Sequence, residues 1–207
     1  MNTLDQHTLL QGVRELTGRD QDFARVIEKY GPPPLWEREP GFQTLVNIIL
    51  EQQVSLASAQ AAFNKLAAAV ELLTPRNFLK LSDEELKKIG FSRQKTTYAR
   101  ALSNALLDNS LDLHGLNKLD DEEARERLMK VKGIGPWTAD IYLLMALGRP
   151  DIWPKGDLAL EAAIQQVKGL PHKPNAKESI LISCAWRPWR AVAARILWHF
   201  YLSEREK

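Results

Sequence analysis

Two places in the sequence carry residues whose types and spacing could do chemistry: the turn from Lys130 to Pro136 and the acid Asp157. Gly133 and Gly135 suit a turn that needs positive φ and a backbone bare enough to be approached closely. Pro136, at a first helical position, gives up an amide hydrogen that no intrahelical acceptor requires. The amides around Gly133, Gly135 and Trp137 then point outward together and form a site for a phosphate. Lys130 and Lys132 add positive charge beside it. The plain alternative is a tight corner between two helices. Asp157 stands where a helix should begin, and a carboxylate there ordinarily serves as an N-cap. The stiff loop before it, Trp153–Gly156 (WPKG), aims the side chain away from the surface of a regular helix. The phosphate site also lies only a short way upstream in sequence.

Helices must hold these residues. The pattern predicts amphipathic helices over 5–16 and 20–30, the second ended by Gly31 and Pro32-Pro33-Pro34. That triproline marks a lobe boundary or crossover. Phe42, Leu45, Val46, Ile49 and Leu50 recur at helical spacing and run into Glu51-Gln52-Gln53-Val54-Ser55, where Ser55 caps a helix through Ala69. Thr74-Pro75 starts a short helix. Ser82 with Glu85 forms a capping box for one that stops at Gly90. Ser92 caps the next, with Arg93, Gln94 and Lys95 in its first turn and an end near Leu107. A charged helix from near Asp120 leads into the hairpin of residues 128–144, and another helix starts at Asp157. Asn175 with Glu178 opens a helix to about Cys184, and Pro188 starts the last, to Ser203. No alternating apolar segment is bounded by turns, so the chain should be all-α, of roughly ten helices.

At 207 residues the chain fits one large domain or two closely joined lobes. With 44% hydrophobic and 26% charged residues, its composition is that of a soluble globular protein. A net charge of +2 does not announce a nucleic-acid partner, so any basic surface must come from local clustering. The single cysteine, Cys184, excludes an internal disulfide and cannot hold an iron–sulfur cluster, which needs about four thiolates. Met1 to Leu16 has no apolar h-region, and no apolar run approaches the roughly 20 residues of a membrane span. The expectation is a chain without targeting signal or membrane partner, in a reducing compartment.

The run Val131–Ala139 (VKGIGPWTA), followed by Trp153–Asp157 (WPKGD), resembles the helix-hairpin-helix (HhH-GPD) DNA glycosylase superfamily. The resemblance extends over residues 43–66, 82–100 and 120–164. The closing stretch from Trp186 through Trp189 to Trp198 resembles the alkylbase, 3-methyladenine DNA glycosylase II branch, here without that branch's amino-terminal β-domain. It implies two helical lobes, one of residues 1–36 plus 151–207 and the other of residues 37–150 carrying the hairpin, with a flipped base in the cleft between them. It puts the catalytic aspartate at Asp157. Cleaving an N-glycosidic bond builds an oxocarbenium ion, which a fixed anion stabilises; the same carboxylate can orient the attacking water, and both roles stay open. Superfamily members that also cut the backbone carry a Schiff-base lysine directly after the hairpin proline. Trp137 stands there instead, which implies a monofunctional enzyme that leaves an abasic site.

An alkylated purine is cationic, so it leaves readily and is recognised by an electron-rich aromatic slot. By resemblance Trp137 and Trp198 match that slot, with Tyr142 and Trp153 as further candidates; core packing is the alternative for each and the preferred reading of Trp189. Gln53 matches the residue that enters the duplex when the base is flipped, and Gln52 or Phe91 could share that task. Lys132, Gly133, Gly135 and Thr138 of the hairpin, with Arg93, Gln94 and Lys95, are the expected DNA contacts. Backbone carbonyls of Met129, Val131 and Ile134 would hold a monovalent cation, Na+ or K+; no other cofactor is implied. Asp140 and Glu51 are rival carboxylates, Asp140 more suited to ordering its surroundings. The expected function is base excision repair: a monomer that removes alkylated bases from double-stranded DNA, in the cytoplasm at the nucleoid if the source is bacterial. The alternatives are a non-catalytic helix-hairpin-helix DNA-binding module, or a glycosylase for deaminated or oxidised bases, disfavoured by Trp137 and the missing cluster.

Overall fold

Local capping chemistry sets most helix boundaries in the computed structural model, which describes residues 3–205. Asp5 and Thr8 form a capping box for α1 (Gln6–Arg19), and Asp20 caps α2 (Gln21–Tyr30) by accepting the Asp22 and Phe23 amides. After the triproline, α3 (Phe42–Glu51) starts at Gly41 without a side-chain cap. Ser55 caps α4 (Leu56–Ala69), Thr74 caps α5 (Pro75–Phe78), and the Ser82–Glu85 box opens α6 (Asp83–Ile89), which ends at Gly90. Ser92 caps α7 (Arg93–Leu107). A short 3-10 turn over Gly115–Lys118, which no sequence signal announces, precedes α8 (Asp121–Met129) with its Asp120–Glu123 box. Then come α9 (Pro136–Met145), α10 (Leu158–Lys168) capped by Asp157, α11 (Ala176–Ser183) under the Asn175–Glu178 box, and α12 (Arg190–Arg205). The all-α expectation holds: the described residues contain twelve α-helices and no strand. The last helix starts at Arg190 rather than Pro188, because the Asp151 side chain accepts the Arg190 amide at 3.3 Å.

The chain divides into two compact units. One holds the residues up to Glu37 together with those from Leu143 onward; the other is Arg38–Tyr142. The lobe boundaries expected at 36/37 and 150/151 are corrected accordingly, the second by a longer step. It moves into α9 because residues just past Tyr142 are tied to the terminal helices. The Leu144 carbonyl accepts from Arg195 Nη2 at 3.1 Å, the Gly148 carbonyl from the Leu4 amide at 2.7 Å, and the Pro150 carbonyl from the Ala191 amide at 3.0 Å.

In the unit built from the termini, α10 packs on α12, and both pack on α2. Trp186 is buried there, its ring 5.0 Å from Phe23 and its Nε1 donating to Asp20 Oδ2 at 3.0 Å. Burial raises the Asp20 pKa, but Lys168 Nζ, which reaches both carboxylate oxygens at 2.6 Å, and the Trp186 indole outweigh it and hold the pKa below the ordinary aspartate value. In the other unit α3 packs against α4 and α7. Its Leu45, Val46, Ile48 and Ile49 are fully buried, each side chain contributing about 1.5–3 kcal/mol of apolar burial.

Candidate active site

The hairpin turn, with α8 before it and α9 as far as Tyr142, lies in the Arg38–Tyr142 unit. The Val131 amide donates to the Leu128 carbonyl at 3.1 Å and the Ile134 amide to the Val131 carbonyl at 3.0 Å, closing two successive tight turns. Gly133 has φ 96°, and a Cβ built there would sit 2.1 Å from Tyr98 Cγ. Gly135 differs: its φ is not positive, and nothing lies within 4 Å of where a Cβ would be. Positive φ, expected at both glycines, is therefore found at Gly133 alone, while Gly135 keeps the open space that a closely approaching ligand needs. Lys130 and Lys132 are exposed beside them, and Trp137 is half-buried at the start of α9.

Asp157 belongs to the unit built from the termini. It is the N-cap of α10: its Oδ1 accepts the Leu160 amide at 2.9 Å and, at a longer 3.3 Å, the Trp198 indole Nε1. The carboxylate is buried, with 8% exposure, the same as Trp198. The cap that an aspartate ordinarily makes is thus present, and an indole is added to it. Helix start and indole donor together fix the direction of one carboxylate, which is what stabilising a developing cation requires.

Residues 46–188 match the family described as HhH-GPD superfamily base excision DNA repair protein. The chain belongs to the HhH-GPD superfamily. It is 28% identical to the alkylbase DNA glycosidase-like protein mag2 of Schizosaccharomyces pombe, over 89% of this chain and 90% of that one. It is 27% identical to DNA-3-methyladenine glycosylase 1 of the same yeast, over 88% of this chain and 83% of that one. Among solved structures it resembles the S. pombe 3-methyladenine DNA glycosylase Mag1 in complex with abasic DNA, with a TM-score of 0.84 and 26% identity, covering 91% of this chain and 95% of that one.

Several residues expected at the site of this HhH-GPD protein lie elsewhere. Tyr142 is fully buried, its hydroxyl oxygen accepting the Gly41 amide at 3.0 Å, and burial pushes its pKa up to about 12. Trp153 is buried with its ring 5.3 Å from Trp186 and its Nε1 donating to Ser179 Oγ at 3.1 Å. Both are core residues rather than pocket walls. Phe91 packs 5.7 Å from Phe78 and is buried, so it does not enter a duplex. Gln52 is no wedge either: its Nε2 donates to the Gly133 carbonyl at 3.0 Å and to Thr138 Oγ1 at 2.9 Å. Thr138, itself buried, is therefore part of a brace for the hairpin and not a DNA contact. Lys95 turns inward, its Nζ donating to the Leu50 carbonyl at 2.6 Å near the end of α3, and burial lowers its pKa. The local signal for these side chains was helical spacing, which does not separate a buried face from a site.

Other expected positions are open. Arg93 and Gln94 are exposed, Gln94 Nε2 donating to the Tyr98 hydroxyl at 2.6 Å. Gln53, just past the end of α3, is exposed with φ 58°, a left-handed backbone. Asp140 is buried against Arg125 Nε at 2.7 Å and orders its surroundings, as its sequence position suggested. Glu51 is held by Arg38 at 2.9 and 3.2 Å. Trp189 is half-buried and donates to Glu15 Oε2 at 2.5 Å, in keeping with a packing role. Sequence reasoning missed Trp36, whose ring lies 6.5 Å from Trp198; the triproline before it was the only signal in its vicinity. Among the described residues no group of three or more His, Cys, Asp or Glu side chains could hold a metal ion, and no helix is long and apolar enough to cross a membrane.

Proposed function

We propose that this HhH-GPD protein is a monofunctional DNA glycosylase that hydrolyses the N-glycosidic bond of alkylated purines, 3-methyladenine among them, in double-stranded DNA. The observation that carries the reading is the Asp157 carboxylate, buried and aimed by the Leu160 amide and the Trp198 indole. Two S. pombe relatives named above for alkylbase and 3-methyladenine activity, matched over most of their length, support the same substrate class. In the reaction the C1′–N bond breaks and its electron pair leaves with the cationic base, which departs neutral. The positive charge passes to the sugar, where Asp157 stabilises it. Water then adds to C1′ and loses a proton, to Asp157 or to solvent.

The Gly133 and Gly135 amides, Lys132, Arg93 and Gln94 grip the strand, and Gln53, in its left-handed conformation, occupies the space the flipped base vacates. Trp198, whose Nε1 donates to Asp157 Oδ1, lies against the base. With Trp137 where a lyase carries its amine, the product is an abasic site on an intact strand. A Na+ or K+ ion on the carbonyls of Met129, Val131 and Ile134 would offset phosphate charge; the Val131 carbonyl, which accepts the Ile134 amide, has a second lone pair to offer. The enzyme acts as a monomer and, in a bacterium, in the cytoplasm on the nucleoid.

The test is mass spectrometry of bases freed from methylated DNA. Wild type should release 3-methyladenine. Asp157→Asn should lower release by a factor on the order of 10²–10⁴ while asparagine keeps the helix cap and the fold. Unchanged turnover removes Asp157 from the mechanism. Tight DNA binding without any base release leaves a binding module only.

A further inference from the structure

We infer that Trp36 is a specificity-determining residue of the site proposed above, an indole wall beside Trp198 that favours a cationic base over a neutral one. The inference rests on the glycosylase reading. Trp36 has φ 48°, a conformation in which a bulky side chain is a genuine outlier. Such backbone persists only where its surroundings over-determine it, and it gathers at functional sites.

Two constraints impose it. Pro32, Pro33 and Pro34 stiffen the approach, each with a ring-locked φ. Immediately before Trp36, the Leu35 carbonyl accepts from Arg195 Nε at 2.7 Å. Arg195 is itself 1% exposed, and its other donors go to the Ala191 and Leu144 carbonyls, both at 3.1 Å. Burial draws its pKa down to about 10, against the pull of Glu37. A guanidinium held in the core by backbone carbonyls is a costly way to fix a loop, and the residue this loop presents next is Trp36.

A tryptophan that merely filled the core would be buried on an ordinary backbone. Trp36 instead stays half-buried. Its ring meets Trp198 edge to face, centroids 6.5 Å apart at 71°, and His199 at 6.4 Å and 66°. Trp198 in turn donates to Asp157 Oδ1 at 3.3 Å. One continuous chain of contacts therefore links the strained residue to the acid, all within the unit built from the termini. Adjoining indoles at right angles present π density to whatever lies against them. A purine alkylated at nitrogen carries a full positive charge and is drawn to that density; a neutral purine of similar shape gains only dispersion and area burial.

The experiment compares single-turnover release of a cationic lesion, 7-methylguanine, with a neutral one, hypoxanthine, from otherwise identical duplexes. Trp36→Gly removes the ring and relaxes the left-handed backbone, which offsets part of the packing lost against Trp198 and His199, so the variant should remain folded, as its melting curve will show. It should lower 7-methylguanine release about tenfold and hypoxanthine release by no more than about twofold. Trp36→Phe, which keeps a π face, should retain most of the preference. Equal losses for both bases in the glycine variant, or no loss for either, overturn the inference while wild-type activity leaves the glycosylase reading intact. A wild-type protein that frees neither base overturns the inference, and one that also frees no 3-methyladenine from methylated DNA overturns the glycosylase reading as well.

Discussion

Replacing each hairpin glycine by alanine separates what the turn needs for folding from what it offers to DNA. At Gly133 an alanine must adopt φ 96°, at a cost of about 1–3 kcal/mol. Its Cβ would also fall 2.1 Å from Tyr98 Cγ and 2.4 Å from Tyr98 Cβ. Rotating the ring does not help, because Tyr98 Cβ is fixed to the backbone of α7; the helix or the turn must shift, at a further cost of about 1–3 kcal/mol. Gly133→Ala should therefore lose about 2–6 kcal/mol, a large part of the roughly 5–15 kcal/mol that holds a typical domain folded. At Gly135 neither penalty applies, and alanine should change stability by less than about 1 kcal/mol, in the favourable direction. The methyl would instead stand where a phosphate approaches the amides. Losing one charge-assisted hydrogen bond of about 1.5–3 kcal/mol weakens binding roughly ten- to a hundredfold. Urea unfolding and fluorescence anisotropy with an abasic-site duplex, at one fixed salt concentration, read the two effects separately. A Gly133→Ala protein with the wild-type urea midpoint would refute the turn geometry. A Gly135→Ala protein that binds as tightly as wild type would refute the phosphate site.

Tyr142 supplies a pH test. An unfolded tyrosine ionises near pH 10, whereas burial holds the folded one neutral to about 12. Above pH 10 the unfolded state thus binds fewer protons than the native state, and stability should fall as pH rises from 10 towards 12. Tyr142→Phe should remove that slope and, by leaving the Gly41 amide without its acceptor, cost about 1–3 kcal/mol at neutral pH, both measured by urea unfolding across a pH series. Gln52→Ala deletes the hydrogen bonds to the Gly133 carbonyl and Thr138 Oγ1; stability should drop by about 1–3 kcal/mol and DNA affinity with it, whereas a wedge residue would affect base flipping at unchanged stability. Purified protein should convert methylated duplex into alkali-labile sites without direct strand breaks, and trapping of a covalent adduct by borohydride would contradict the role given to Trp137.

The sequence alone determined the helices and the two chemical anchors. Capping is a conversation between residues three or four apart, so Ser55, Ser82, Ser92, Asp120 and Asn175 could be read without tertiary knowledge, as could Gly133 and Asp157, whose roles are set by the turn and the helix start they occupy. Only the tertiary structure decided which face of a helix meets a neighbour. Tyr142, Trp153 and Phe91 had the right chemistry for a site and went into cores, and Lys95, Gln52 and Thr138 spent their polar groups on partners distant in sequence. Trp36 is the converse case. The triproline before it is visible in the sequence, but the other hold on its backbone is a Leu35 carbonyl bonded by Arg195, more than 150 residues away along the chain, and no pattern of neighbouring residues encodes a contact of that range.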